Sequence, residues 1–172
     1  VFILASGASG NPLIENEAGP GFKDFFSALL AAAEKLAQAI VADGEGATKL
    51  VEIRVKGADS FESASRVARA VANSPLVKTA LFGEDPNWGR IVCAVGYSGV
   101  PVDPDKIDIF FGDIQAVRQG APSGVSNEQC ASRLKEREIV LTINLNQGGC
   151  ECGFWTCDFS YDYVKINADY HT

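Results

Sequence analysis

Between Leu50 and Ala72 the chain changes its hydrophobic period. Val51, Ile53 and Val55 alternate with Glu52, Arg54 and Lys56, and a period of two belongs to a strand with one buried side. A few residues later Phe61, Ala64, Val67, Ala68, Val71 and Ala72 recur at three and four, the spacing of one helix face. A strand and a helix that each present one apolar side bury them in layers, so this stretch already argues for mixed α and β structure. Asn73-Ser74-Pro75 ends the helix, because proline disfavours helical geometry in the residue before it.

The rest of the chain extends the pattern. Phe22, Phe25, Phe26, Leu29, Leu30, Ala33, Leu36, Ala37 and Ile40 form a broad stripe on a long helix, with Lys23, Glu34, Lys35 and Gln38 outside it. Asp43-Gly44 closes that helix, since glycine tolerates the left-handed conformation common at helix C-termini. Ile139, Leu141, Ile143 and Leu145 alternate in a second clean strand. Ser126-Asn127-Glu128-Gln129 reads as a capping box opening a helix through about Arg137. Further strands are predicted at Val1–Ala5, at Leu76–Phe82, at Ile107–Phe111, and at Ile91–Val95, where a continuous apolar run suggests cover on both faces. A hairpin of Phe154–Phe159 and Tyr163–Ile166 around Ser160-Tyr161-Asp162 is expected to finish the chain. The predicted class is α/β, an α+β layered sandwich. Residues 1–172 read as a single unit with no internal repeat, low-complexity stretch or linker.

Composition then narrows the chemistry. Lys and Arg number 15 against 22 Asp and Glu, a net charge of −7, which argues against a nucleic-acid partner, because counterion release needs clustered basic residues. A hydrophobic share of 47% excludes a disordered chain. No uninterrupted apolar stretch is long enough to cross a bilayer, so no membrane association is expected. Val1-Phe2-Ile3-Leu4 has no basic segment before it and does not read as a signal peptide. The sequence contains no Met and starts inside an apolar run, which points to a processed or truncated piece of a longer chain. The five cysteines, Cys93, Cys130, Cys150, Cys152 and Cys157, are expected to be reduced thiols of a cytoplasmic protein. Cys150, Cys152 and Cys157 match no paired Cys-x-x-Cys knuckle, and the single His171 cannot complete a ligand set, so no metal is expected. One histidine also argues against a Ser-His-Asp or Cys-His arrangement. The loop Ser6-Gly7-Ala8-Ser9-Gly10-Asn11-Pro12 lacks the Gly-Lys ending of a phosphate loop and reads as a tight turn.

Three polar segments remain as candidates. In Asp43-Gly44-Glu45-Gly46-Ala47-Thr48-Lys49, Glu45 stands between two glycines, unshielded, where a carboxylate can hold an ammonium group or relay a proton; a solvated loop acid is the other reading. Gly83-Glu84-Asp85-Pro86-Asn87-Trp88-Gly89-Arg90 offers a Trp and an Arg as ligand anchors, as a contact for a neighbouring chain, or as a cap over the core. At the C-terminus Asn167 supplies amide donors and an acceptor, and Thr172 a hydroxyl and a carboxylate, unless this is a frayed tail.

Taken together, Asp43–Lys49, Ala72–Thr79, Gly83–Ile91, Trp155-Thr156-Cys157-Asp158 and Ile166-Asn167-Ala168-Asp169-Tyr170 resemble, in order, the bifunctional ornithine acetyltransferase / glutamate N-acetyltransferase family of arginine biosynthesis. The resemblance runs from about Leu4 to the end of the chain. It implies the family's self-cleaving fold, shared with aminopeptidase-like enzymes, and a beta-chain portion whose partner is an alpha chain from the same precursor in a heterotetramer of two alpha and two beta chains. It implies acetyl transfer from N2-acetylornithine to glutamate through an acetyl-threonine. The threonine exposed by self-cleavage attacks, and its own α-amine acts as base, so no histidine is needed. Thr48, Thr79, Thr142, Thr156 and Thr172 are internal or C-terminal, so no catalytic residue is expected within this chain and the nucleophile is expected upstream of Val1. By resemblance Glu45, Asn167 and Thr172 bind the amino-acid substrate. No cofactor is implied, with acetyl-CoA open as a co-substrate. A non-catalytic subunit completing a partner's fold, or an N-terminal-nucleophile aminopeptidase on the same scaffold, are the alternatives.

Overall fold

The computed structural model describes residue 3 and residues 5–170. Three of the five residues of the strand expected at Val1–Ala5 (Val1, Phe2 and Leu4) lie outside the described residues, as do His171 and Thr172; Ile3 and Ala5 carry no regular structure. The chain divides into two compact units, Val1–Ala37 and Gln38–Thr172, and the boundary falls inside helix α1 (Phe22–Ala42).

The first unit holds a loop with Gly7 and Gly10 at positive φ and most of α1. The helix follows the predicted stripe, and Phe22 stacks on Phe26 with centroids 5.8 Å apart. None of its residues is buried. Lys23, Asp24, Glu34 and Lys35 interrupt its apolar sequence. A search for unbroken runs therefore overlooks that α1 is long and apolar enough, by length and composition, to cross a membrane.

The second unit is built on a six-stranded sheet of order β4-β3-β2-β5-β1-β6. Its strands are β1 (Leu50–Ala58), β2 (Asp108–Phe111), β3 (Ile114–Arg118), β4 (Ala121–Pro122), β5 (Glu138–Asn144) and β6 (Cys150–Cys157). The two alternating segments are neighbours: β1 runs parallel to β5, with Val51 opposite Ile139, Ile53 opposite Leu141 and Val55 opposite Ile143. On its other side β1 pairs antiparallel with β6, Ile53 opposite Phe154, and β5 pairs antiparallel with β2, Leu141 opposite Phe111. This register puts Val51, Ile53, Val55, Leu141, Ile143, Ile109 and Phe111 on one face, all buried.

Helices cover that face. Helix α2 (Phe61–Ala72) starts on Ser60, whose hydroxyl accepts the Ser63 N–H, and buries Ala64, Val67, Ala68, Val71 and Ala72, the side read from the sequence. On the opposite face of β1, Arg54 donates to Glu52 at 2.9 Å, a half-buried pair.

Three expectations are overturned. Leu76–Phe82 is not a strand but lies in helix α3 (Pro75–Phe82); Ser74 accepts the Val77 N–H and Pro75 occupies the first turn. The proline that stops α2 thus opens the next helix, where its missing N–H costs nothing. Ile91–Val95 belongs to helix α4 (Trp88–Gly96), capped by Asn87, with Ile91, Ala94 and Val95 buried at helical spacing. A short apolar run has no period of its own to separate the two cases. The C-terminal hairpin does not form. β6 starts earlier, at Cys150, and pairs with β1, and Ser160 caps helix α6 (Tyr161–Asp169) by accepting the Tyr163 N–H.

Two details differ more mildly. The capping box is present in helix α5 (Asn127–Leu134), with both reciprocal bonds between Ser126 and Gln129, but the helix ends before Arg137. The pair β2–β3 was not foreseen, although Gly112-Asp113 supplies its turn, Gly112 at φ +59°. Substituting Ser126→Ala removes the cap acceptor and is expected to cost about 1 kcal/mol, measured as a shift of the urea midpoint with unchanged slope; Glu128→Gln, on the same turn, leaves the hydroxyl in place and serves as the comparison.

Candidate functional site

The loop after α1 is shaped by backbone geometry before any side chain. The sequence assigns the helix stop to Gly44, yet Gly44 is not left-handed; the positive φ, +66°, falls on Gly46. Gly46 also lies where a side chain has no room, for a Cβ there would sit 2.5 Å from the Tyr163 nitrogen and 2.9 Å from Ser160 Oγ. The two glycines therefore have different tasks. Gly44 passes beside Cys157, and Gly46 turns the chain onto the start of α6.

That turn brings Glu45 to Asn167. Asn167 Nδ2 donates to Glu45 Oε2 at 3.0 Å and to the Tyr163 carbonyl at 2.9 Å. Both residues are exposed. The amide thus orients a carboxylate from a segment far away in the chain, and the pair presents acceptor oxygens outward. Such an arrangement suits an ammonium group. Thr172, the third predicted contact, lies outside the described residues.

Behind this pair stand residues that the sequence reading did not single out as site groups. Asp158, 2% exposed, accepts the Thr48 N–H at 2.8 Å, the Thr48 hydroxyl at 2.6 Å and the Lys49 N–H at 2.9 Å. Ser160 donates to the Gly46 carbonyl at 2.6 Å. Lys49 is buried and reaches the Leu134 carbonyl at 2.5 Å and Glu84 at 3.1 Å. Lys78 is buried too, with its ammonium 3.1 Å from Thr156 Oγ1, 3.5 Å from Cys157 Sγ and 4.4 Å from the centre of the Phe159 ring. Phe159 in turn stacks on Tyr163. Thr48 and Lys49, Lys78, Glu84 and Asp158 each fall in one of the resembling strings, which give the residues but not their partners.

The loop Gly83–Arg90 behaves as a cap over the core. Asn87 accepts the Arg90 N–H and opens α4, Trp88 packs against the buried cluster, and Arg90 donates to the Leu76 carbonyl at 2.9 Å. Asn87 and Arg90 thus serve the α3–α4 connection, while Glu84 pairs with Lys49. Cys150, Cys152 and Cys157 are spread along β6 as free thiols. Among the described residues no group of three or more His, Cys, Asp or Glu side chains converges as a metal site.

Comparison with known proteins places this geometry. The ArgJ family matches residues 1–172, the whole sequence. The chain belongs to the ArgJ family. A relative from Symbiobacterium thermophilum, named arginine biosynthesis bifunctional protein ArgJ, is 49% identical over all of this chain and 42% of its own length. A protein of the same name from Desulfotalea psychrophila is 51% identical, again over the whole chain and 44% of its own length. This ArgJ-family chain therefore spans less than half the length of these relatives. The crystal structure of the Bacillus halodurans protein superposes with a TM-score of 0.92 at 46% identity, over 96% of this chain and 78% of that one. The mixed α/β architecture is the ArgJ fold.

Proposed function

We propose that this chain supplies the amino-acid-binding side of an enzyme that moves an acetyl group from N2-acetylornithine to glutamate. In this reading a threonine outside these 172 residues attacks the acetyl carbonyl while its α-amine takes the proton. The amide C–N bond breaks and ornithine leaves with its amine restored. The amine of glutamate then attacks the acetyl ester, frees the threonine hydroxyl and departs as N-acetylglutamate. No cofactor enters either half-reaction, and acetyl-CoA is a second candidate donor. Glu45 holds a substrate ammonium, and Asn167 fixes the direction of its carboxylate. An alpha chain completes the pocket in a cytoplasmic heterotetramer.

The observation that carries the proposal is the hydrogen bond from Asn167 to Glu45, which joins two strings separated in sequence into one acceptor surface. Family membership and the relatives' names support the pathway. Glu45→Gln in the complete enzyme is the test. Losing a charge-assisted contact of about 1.5–3 kcal/mol lowers kcat/KM for acetylornithine roughly 10- to 100-fold, with self-cleavage intact. Unchanged constants for both substrates refute the assignment. An intact mass spectrum of the purified enzyme separates the alternatives, because the proposed mechanism requires a co-purifying chain that begins with threonine.

A further inference from the structure

Glu45 is held by a loop that has little reason to be rigid. Glu45 is exposed and flanked by glycines, and the small, half-buried Ala47 is the apolar side chain the loop offers; loops of this kind sit at the low-stability end of a fold. Its order has to come from elsewhere, and the contacts identify the source. The loop's far half is fixed by Asp158, through Thr48 and Lys49. Its near half is fixed by Ser160, through the carbonyl of Gly46.

The Ser160 hydroxyl has two tasks. It donates to Gly46 at 2.6 Å and accepts the N–H of Tyr163 at 3.3 Å, so the atom that ties down Glu45's neighbour also caps α6. That helix carries Asn167 two turns further on, and Asn167 bonds back to the Tyr163 carbonyl. A closed circuit results, running from Glu45 through Gly46, Ser160, Tyr163 and Asn167 back to Glu45. Ser160 is 5% exposed and Asp158 2%, so neither reaches a molecule bound at the surface.

We infer that Ser160, supported by Asp158, is a positioning residue for the Glu45–Asn167 pair, setting the separation of the two substrate-binding groups through a single shared hydroxyl. This rests on the proposed role of Glu45. Ser160→Ala cuts the circuit at its one shared atom. In the complete enzyme it is expected to raise KM for acetylornithine about five- to tenfold, the equilibrium equivalent of a lost cap, with kcat little changed. Ser160→Thr keeps a hydroxyl with cap geometry and restores KM. Because Ser160 reaches Glu45 through Gly46 as well as through α6 and Asn167, the KM effects of Ser160→Ala and Asn167→Ala combine to less than their product.

Two results overturn the inference: an unchanged KM in Ser160→Ala with only a lower melting temperature, or effects of Ser160→Ala and Asn167→Ala that multiply. If Ser160→Ala does not fold, Ser160→Gly takes its place: glycine is tolerated at a helix N-cap yet brings no hydroxyl for Gly46 or Tyr163, and the same KM criterion applies. Amide hydrogen exchange keeps the two readings apart. If Glu45→Gln leaves catalysis unaffected, the substrate assignment fails by itself. Exchange across Gly44–Thr48 then decides for Ser160: faster in Ser160→Ala, with β1 unchanged, upholds its positioning role, and an unaltered rate ends it.

Discussion

Gly46→Ala lowers the unfolding free energy by about 2–4 kcal/mol. The residue sits at φ +66°, where an alanine pays roughly 1–2 kcal/mol for its Cβ. The Cβ would also stand 2.5 Å from the Tyr163 nitrogen, 2.9 Å from Ser160 Oγ and 3.0 Å from the Asp162 carbonyl carbon. Two of these three atoms are backbone of the first turn of α6, so relief requires the helix to retreat from the loop. The expected fall in melting temperature is roughly 5–15 °C for a chain of this size. Gly44→Ala is the control. Its φ is not in the left-handed region, and its closest new contacts are 3.2 Å to the Val41 carbonyl oxygen and 3.3 Å to Cys157 Sγ, which a small shift can absorb. A Gly46→Ala variant that melts within a degree of the Gly44→Ala variant would show that α6 does not need its close seat on the loop.

Leu141→Ala is expected to cost about 3–5 kcal/mol, read from urea denaturation. Leu141 is fully buried in β5, between Ile53 of β1 and Phe111 of β2. Neighbours on both flanks are themselves strands with paired backbones, so the cavity left by the missing carbons can collapse only in part, the circumstance in which such losses are largest. Val140→Ala, one residue away, alters the opposite face and only a partly buried side chain, and its cost is expected to stay near or below 1 kcal/mol. Equal effects at 140 and 141 would mean that both faces of β5 are packed alike, contrary to the register described.

The elements legible in the sequence were those with a period long enough to count. β1, β5 and α2 alternate or repeat cleanly over seven to twelve residues, and the box at Ser126 marks its helix by local chemistry alone. Where the apolar run was short and unbroken, as in Ile91–Val95, period failed. There the cap residue was the better guide: Ser74, Asn87 and Ser160 each accept an N–H three residues on. Giving those side chains precedence over apolar content would have turned α3, α4 and α6 into helices. The site divides in the same way. Glu45 and Asn167 were read as substrate contacts, whereas Asp158, though inside a resembling string, and Ser160 were not, because the groups they tie down lie more than a hundred positions upstream and a single sequence carries no record of such pairings. Gly46 was visible as a residue but not as a requirement, since only the seat of α6 against it shows why a side chain is excluded.

The position of β1 in the sheet has a consequence for how the protein is made. Leu50 leaves the ribosome well before either strand that flanks it, for its partners are Glu138 and Cys157. During synthesis this nine-residue strand therefore waits with both edges open until β5 has emerged, and with one edge open until β6 follows. Sheets closed by such distant pairings form slowly and expose sticky intermediates. Expression at reduced temperature or with chaperones present should accordingly raise the soluble yield more than any substitution on the surface.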